Sequence, residues 1–226
     1  MRRLHGRAVT AAAVSFCALA AAAQPAGVTW SPPVPGALVQ QTSVAFHGET
    51  GAVQWRAIVS KQLAGSGNGQ TFYQWYLSLY AMRLGTYRLR YQSPRNGGPL
   101  SHVEQAHGAK MWFPVQEMRI VGSAQLMGFG ARQLVVQSHE MAADCGSATV
   151  TIFASKPGDS AGPAATIANS CDLSAKIGSD GASIELTGPY YAPNAALCCP
   201  TKTKATATLR YRGGKWIESP NYFKIE

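Results

Sequence analysis

The sequence predicts an all-β protein of antiparallel, sandwich-like sheets with at most minor α content. Short runs rich in Val, Ile, Thr, Tyr and Trp recur between clusters of Gly, Pro, Asn and Ser, as in sheet proteins with many turns. No stretch carries a long, capped helical pattern. The third observation is the run from Lys202 to Arg212, where Ala205, Ala207, Leu209 and Tyr211 alternate with Lys204, Thr206, Thr208, Arg210 and Arg212. Period-two alternation gives one buried face and one wet face.

Taken in order, the N-terminal half offers strands at Ser43 to Phe46, Val53 to Val59, Thr71 to Met82, Tyr87 to Tyr91 and Met111 to Val115. In Thr71 to Met82 the residues Tyr73, Tyr76, Leu77 and Tyr80 match helical spacing, but the aromatic content and the adjacent Gly85-Thr86 favour a strand. The C-terminal half adds Gln133 to Gln137 and Ala148 to Phe153. Asp180-Gly181 signals a hairpin between Ala175-Lys176-Ile177 and Ser183 to Leu186. Gly213-Gly214 turns the chain into Lys215-Trp216-Ile217 and sets Tyr211 opposite Trp216. Gln24 to Gly36 and Gly158 to Ala165, rich in Ala, Pro and Gly, read as flexible.

The ends bear on destination. Met1 to Arg7 carries three arginines and no acid, and the next sixteen residues carry no charge. This is the pattern of a secretory signal, with Ala21 and Ala23 at the small-residue positions before a cleavage site. The expected organisation is a signal peptide at 1–23, a β-rich region at 24–118 and a C-terminal β module at 119–226 containing four cysteines. The mature chain has 226 − 23 = 203 residues, enough for a sizeable apolar core, and no other segment is apolar enough to span a membrane. Pro114 is the expected junction, and Ser93 to Ser101 is the strongest internal break. The formal charge of +9 falls to +6 when Arg2, Arg3 and Arg7 leave. An exported basic protein can lean on anionic envelope polymers or lipid headgroups, whereas nucleic acid is not an expected partner in that compartment.

Cys145, Cys171, Cys198 and Cys199 remain after processing, and an even count in an exported chain reads as disulfides. Three pairings are open. Two of them join the adjacent cysteines to the distant ones, and the third joins Cys145 to Cys171 and closes a vicinal ring. No C-x-x-C occurs for a thioredoxin-type centre, and adjacent cysteines do not suit one tetrahedral zinc. The staple reading therefore leads, and no cofactor or metal is expected.

The stretch from about Leu134 to Ile225 contains "ADCGSATVTIF", "CDLSAKI", "GPYYAPNAALCCPTKTKATATLRYRGGKW" and a closing "YFKI". It resembles a family of exported bacterial proteins of unknown function similar to the LppP/LprE lipoproteins. The resemblance covers less than half the chain, and its most specific feature is the aromatic-Ala-Pro run before Cys198-Cys199-Pro200. It implies an envelope-associated or secreted β module and supplies no catalytic residue. The chain departs from the family in two places. Phe16 precedes Cys17 where a lipobox needs a small residue, and Gly128-Phe129-Gly130 stands where an acidic Gly-Asp-Gly turn is usual.

Motifs for catalysis fail on spacing. After His139-Glu140 the second histidine of a zinc-protease helix would fall at Ala143. His102, Glu104 and His107 have no metal spacing, and Gly65-Ser66-Gly67 lacks a nucleophile elbow. Trp75, Tyr76, Tyr87 and Arg88 are aromatics with nearby cations, able to stack on sugar rings but more often core. The most concrete surface is the basic strand face formed by Lys202, Lys204, Arg210 and Arg212, with Lys215 beyond the turn. Alternation places its cations about 7 Å apart, a spacing able to meet phosphates or carboxylates on a polymer. Its bland counterpart is an edge strand protected by charge. The expectation is a non-enzymatic binding or structural module contacting anionic glycans or lipids. The runner-up is a hydrolase or thiol-redox enzyme whose site gathers residues distant in sequence.

Overall fold

The computed structural model describes residues 34–48, 51–67, 70–92, 102–106, 109–113, 115–128, 132–140, 147–158, 160–169, 172–193 and 200–225. These form strands only, all paired antiparallel. The front sheet is the meander β1 (Ala37–Gly48), β2 (Gly51–Gly67), β3 (Gln70–Arg83) and β4 (Thr86–Gln92). The hairpin β5 (His102–Ala106) and β6 (Ala109–Phe113) follows. Next in the chain come β7 (Val115–Ala124), β8 (Gln133–Glu140), β9 (Ser147–Lys156) and β10 (Ser160–Asn169). With β15 (Lys224–Ile225) they make a central sheet in the order β15-β10-β9-β8-β7. The back sheet is β11 (Ser174–Ile177), β12 (Ile184–Tyr190), β13 (Lys202–Arg212) and β14 (Lys215–Ser219).

The central sheet is buried on both faces, which explains the unbroken apolar run at Leu134-Val135-Val136. Leu134, Val136 and Phe153 face the front sheet and pack with Phe46, Trp55, Leu77 and Leu79. Val135, Val150 and Ile152 face the back sheet and pack with Ile184, Leu186, Ala207 and Leu209. Phe46 and Trp55 meet edge to face at 5.1 Å between ring centres. Each such side chain contributes about 1.5–3 kcal/mol through removal from water. Residues on both sides of Pro114 therefore share one core, and Pro32–Glu226 is a single compact unit.

Two glutamines tie the layers with amides that imitate a peptide group. Gln40 on β1 donates from Nε2 to the Ile120 carbonyl at 3.0 Å and accepts the Ile120 N–H at 2.8 Å. Gln137 on β8 donates to the Leu173 carbonyl at 2.6 Å and accepts the Ala175 N–H at 3.0 Å. Both pairs satisfy backbone groups that would otherwise be left unbonded near the core.

The expected strands are present, Thr71 to Met82 among them, and three details further along the chain differ. Thr71 to Met82 is a strand: Leu77, Leu79 and Ala81 line the core, while Tyr76, Ser78 and Tyr80 on the opposite face are buried too. Burial of both faces produced the mixed periodicity. Met111 to Val115 is divided, with β6 ending at Phe113 and β7 beginning at Val115. Gly158 to Ala165, read as flexible, belongs mostly to β10. Ala161 and Ala165 are buried there, and Pro163 is accommodated at a register shift beside β9, where the missing N–H costs no ladder bond. The Asp180-Gly181 turn is also wider than a two-residue hairpin, because Gly178 donates to the Ser183 carbonyl at 2.9 Å. Residues 1–23 and all five cysteines lie outside the described residues.

Candidate functional site

The basic strand β13 lies inside the back sheet, between β12 and β14. β12 pairs with β13 from Lys202 to Leu209 and β14 pairs with it from Thr208 to Arg212, so Lys202, Lys204, Arg210 and Arg212 each have one strand neighbour, and Lys215 sits on the edge strand β14. Ala205, Ala207 and Leu209 point into the core, which sends the alternate residues to the outer face. Tyr211 and Trp216 stack edge to face at 5.2 Å and fix the hairpin that carries Arg212 and Lys215 as a cross-strand pair.

At this turn end the outer face holds a groove of about 360 Å³ lined by Thr208, Arg210 and Arg212 from β13 and by Ile217 and Ser219 from β14. Arg210 lies opposite Ile217, and Thr208 lies opposite Ser219. The groove thus offers two guanidinium groups, two hydroxyls and one half-exposed aliphatic side chain. Asp180 fixes Arg210 in place through an ion pair at 2.7 Å. The Ala182 N–H, the Ser183 hydroxyl and the Arg210 guanidinium together hold the Asp180 carboxyl down at about 2. Asp180 is therefore ionised across the neutral range, and Arg210 is oriented before any ligand arrives. Arg212 and Lys204 are exposed on the same face, as is Lys215.

The expected row is not uniform. Lys202 lies at the far end of β13, where its ammonium donates to the Tyr222 hydroxyl at 2.6 Å and stands 4.6 Å from the centre of that ring. Tyr222 in turn packs on Tyr190. Lys202 is thereby part of a cation–aromatic cluster apart from the groove. Farther across the sheet Lys176 pairs with Glu185 at 3.8 Å. Sequence reading missed Thr208, Ile217 and Ser219 as groove walls and Asp180 as the partner of Arg210. The usable signal for the walls was the two-residue turn, which sets the register of β13 against β14.

The candidates for catalysis separate. His139 and Glu140 are consecutive on β8 and so face opposite sides of the central sheet. Glu140 is buried toward the front and accepts from the Ser147 hydroxyl at 3.3 Å. His139 faces the back, with Nε2 at 2.6 Å from Gln137 Nε2 and Nδ1 at 4.0 Å from Asp172. Because the Gln137 amide nitrogen can only donate, His139 Nε2 accepts and the ring proton sits on Nδ1, facing Asp172. The histidine thus completes the Gln137 tie. No group of three metal-ligating side chains occurs among the described residues, and no helix there is long and apolar enough to cross a membrane. Cys145, Cys171, Cys198 and Cys199 lie outside the described residues, as does His107.

Comparison with protein-family models, curated proteins and solved structures finds no match to this chain.

Proposed function

We propose that this is an exported, envelope-associated or secreted binding module without catalytic activity, which holds an anionic glycan chain on the outer face of its back sheet. The observation that carries this reading is the groove between β13 and β14, where Arg210 is pre-oriented by Asp180 and Arg212 stands exposed beside Lys215. Guanidinium forks suit carboxylates, while Thr208 and Ser219 offer hydroxyl partners to sugar hydroxyls. Ile217 supplies an apolar floor for a ring face. The signal-like N-terminus and the resemblance of the C-terminal half to exported bacterial proteins support the location.

The test is equilibrium binding to polygalacturonate, a uniform carboxylate polymer, at increasing salt. The native protein binds at low salt and releases as salt rises, and the double variant Arg212→Glu/Lys215→Glu loses binding by roughly tenfold or more, since each reversed charge meets repulsion instead of attraction. Equal binding by native and variant proteins removes the groove from consideration.

A further inference from the structure

The four strands of the front sheet contain five cations, Arg56, Lys61, Arg83, Arg88 and Arg90, and not one Asp or Glu. In the whole sequence no acid occurs between Glu49 and Glu104. The hairpin joining β3 to β4 gathers much of this charge. Its turn is Leu84-Gly85, both with positive φ, at +48° and +75°. That is the two-residue turn that favours Asn-Gly or Asp-Gly.

Leucine is a poor residue for this conformation, and here it gains nothing from the fold, since Leu84 is fully exposed at 105%. Leu89 is also half exposed, and Arg83, Arg88 and Arg90 are exposed on the same hairpin, with Arg88 on the face of β4 opposite to Leu89. Arg88 and Arg90 make no ion pair among the described residues, and β4 is the edge of its sheet.

We propose that the β3–β4 hairpin docks on an anionic phospholipid surface, with Leu84 entering the acyl boundary and Arg88 and Arg90 meeting lipid phosphates. An aliphatic tip flanked by arginines on both strands fits this partner: the leucine leaves water, and long basic side chains extend to the phosphate level. A glycan would instead be met by exposed aromatic faces or hydroxyls. Two leucines are also too small an apolar patch for a stable protein interface. This surface is separate from the β13–β14 groove, and the two proposals stand or fall independently.

The test is co-sedimentation of the full chain with vesicles of phosphatidylcholine mixed with phosphatidylglycerol. Two variants are compared with the native protein. Leu84→Gly places the residue best suited to a positive φ at the turn, so the fold is kept, as its unchanged or higher Tm would show. It is expected to weaken vesicle binding roughly tenfold by removing one buried leucine side chain. Arg88→Glu/Arg90→Glu is expected to weaken it by at least roughly tenfold and to flatten its salt dependence. Arg212→Glu/Lys215→Glu is expected to bind vesicles as the native protein does. The proposal is overturned if Leu84→Gly and Arg88→Glu/Arg90→Glu both sediment as the native protein does, whether all bind or none binds. It is overturned equally if vesicle binding follows the Arg212/Lys215 variant alone.

Discussion

The front and back sheets are both basic four-stranded meanders packed on the same central sheet, yet they handle charge in opposite ways. The back sheet interleaves its cations with acids: Asp180 holds Arg210, Glu185 pairs with Lys176, and Glu218 accepts the Tyr222 and Phe223 amides. The front sheet has no acid in any strand. There Lys61 faces the rings of Tyr73 and Trp75 at 4.6 and 5.4 Å, and the Arg56 guanidinium lies 5.6 Å from the centre of the Tyr87 ring. Acidic partners orient a cation through opposite charge, whereas an aromatic ring attracts one through its face.

The comparison breaks most readily in the layer the two sheets share. Phe153→Ala removes a ring from the front interface and is expected to cost about 3–5 kcal/mol, and Ile152→Ala removes a side chain from the back interface at about 2–5 kcal/mol. Because both positions lie on β9, each variant should show one urea transition shifted to lower concentration. Separate transitions by tryptophan fluorescence and circular dichroism would mean that the sheets unfold independently. Gln137→Leu comes next. It leaves the Leu173 carbonyl and the Ala175 N–H without their partner, and should cost about 1–3 kcal/mol in the same titration.

Acid sharpens the contrast. Asp180 is depressed from 3.8 to about 2, so the stability it contributes is complete above 3.8 and is lost as pH falls toward 2. Asp180→Asn should flatten the fall of Tm in that window. Glu218 acts in the reverse sense: burial pushes its carboxyl above 4.5 against the pull of the Tyr222 and Phe223 amides. Its ionised form is therefore a burden at neutral pH, and that burden lifts as pH falls through the raised value. Glu218→Gln should remove a stabilising step on mild acidification, read as Tm against pH. The smallest effects on stability belong to the exposed arginines. Arg88→Glu/Arg90→Glu and Arg212→Glu/Lys215→Glu should each shift ΔG by no more than about 1 kcal/mol, yet both should elute earlier from a cation exchanger. If the Arg88/Arg90 variant melts far below the native protein, the front edge has a packing role and its charges are not simply displayed.

The fold was legible wherever one face met water. Lys202 to Arg212 alternates because its outer face is solvated, and its turn and aromatic pair followed from Gly213-Gly214. Where both faces are buried the periodicity blurred but the strands at Thr71 to Met82 and Gln133 to Gln137 were still legible, and legibility failed where small residues carry little pattern. Gly158 to Ala165 read as flexible because alanine and glycine carry little pattern, yet it lies mostly in β10, with Ala161 and Ala165 buried. The candidate groove was half visible. Its arginines stand out in sequence, but Asp180 lies thirty positions before Arg210 and meets it only through the pairing of β12 with β13. The front hairpin escaped notice for the same reason, since arginines spread over Arg83 to Arg90 become one patch only when the turn folds them together.

The glutamine ties have a chemical consequence. Gln40 and Gln137 each use both ends of a carboxamide, the nitrogen donating to a backbone carbonyl and the oxygen accepting a backbone N–H, and the Gln137 oxygen also accepts from the Arg119 guanidinium at 2.8 Å. Hydrolysis of the Gln40 amide to an acid would keep the acceptor and delete the donor, turning an attraction for the Ile120 carbonyl into repulsion between two oxygens, whereas at Gln137 the new carboxylate would also meet the Arg119 guanidinium. A single deamidation at Gln40, a change of one mass unit and one charge, would therefore loosen the front interface while leaving the back one joined.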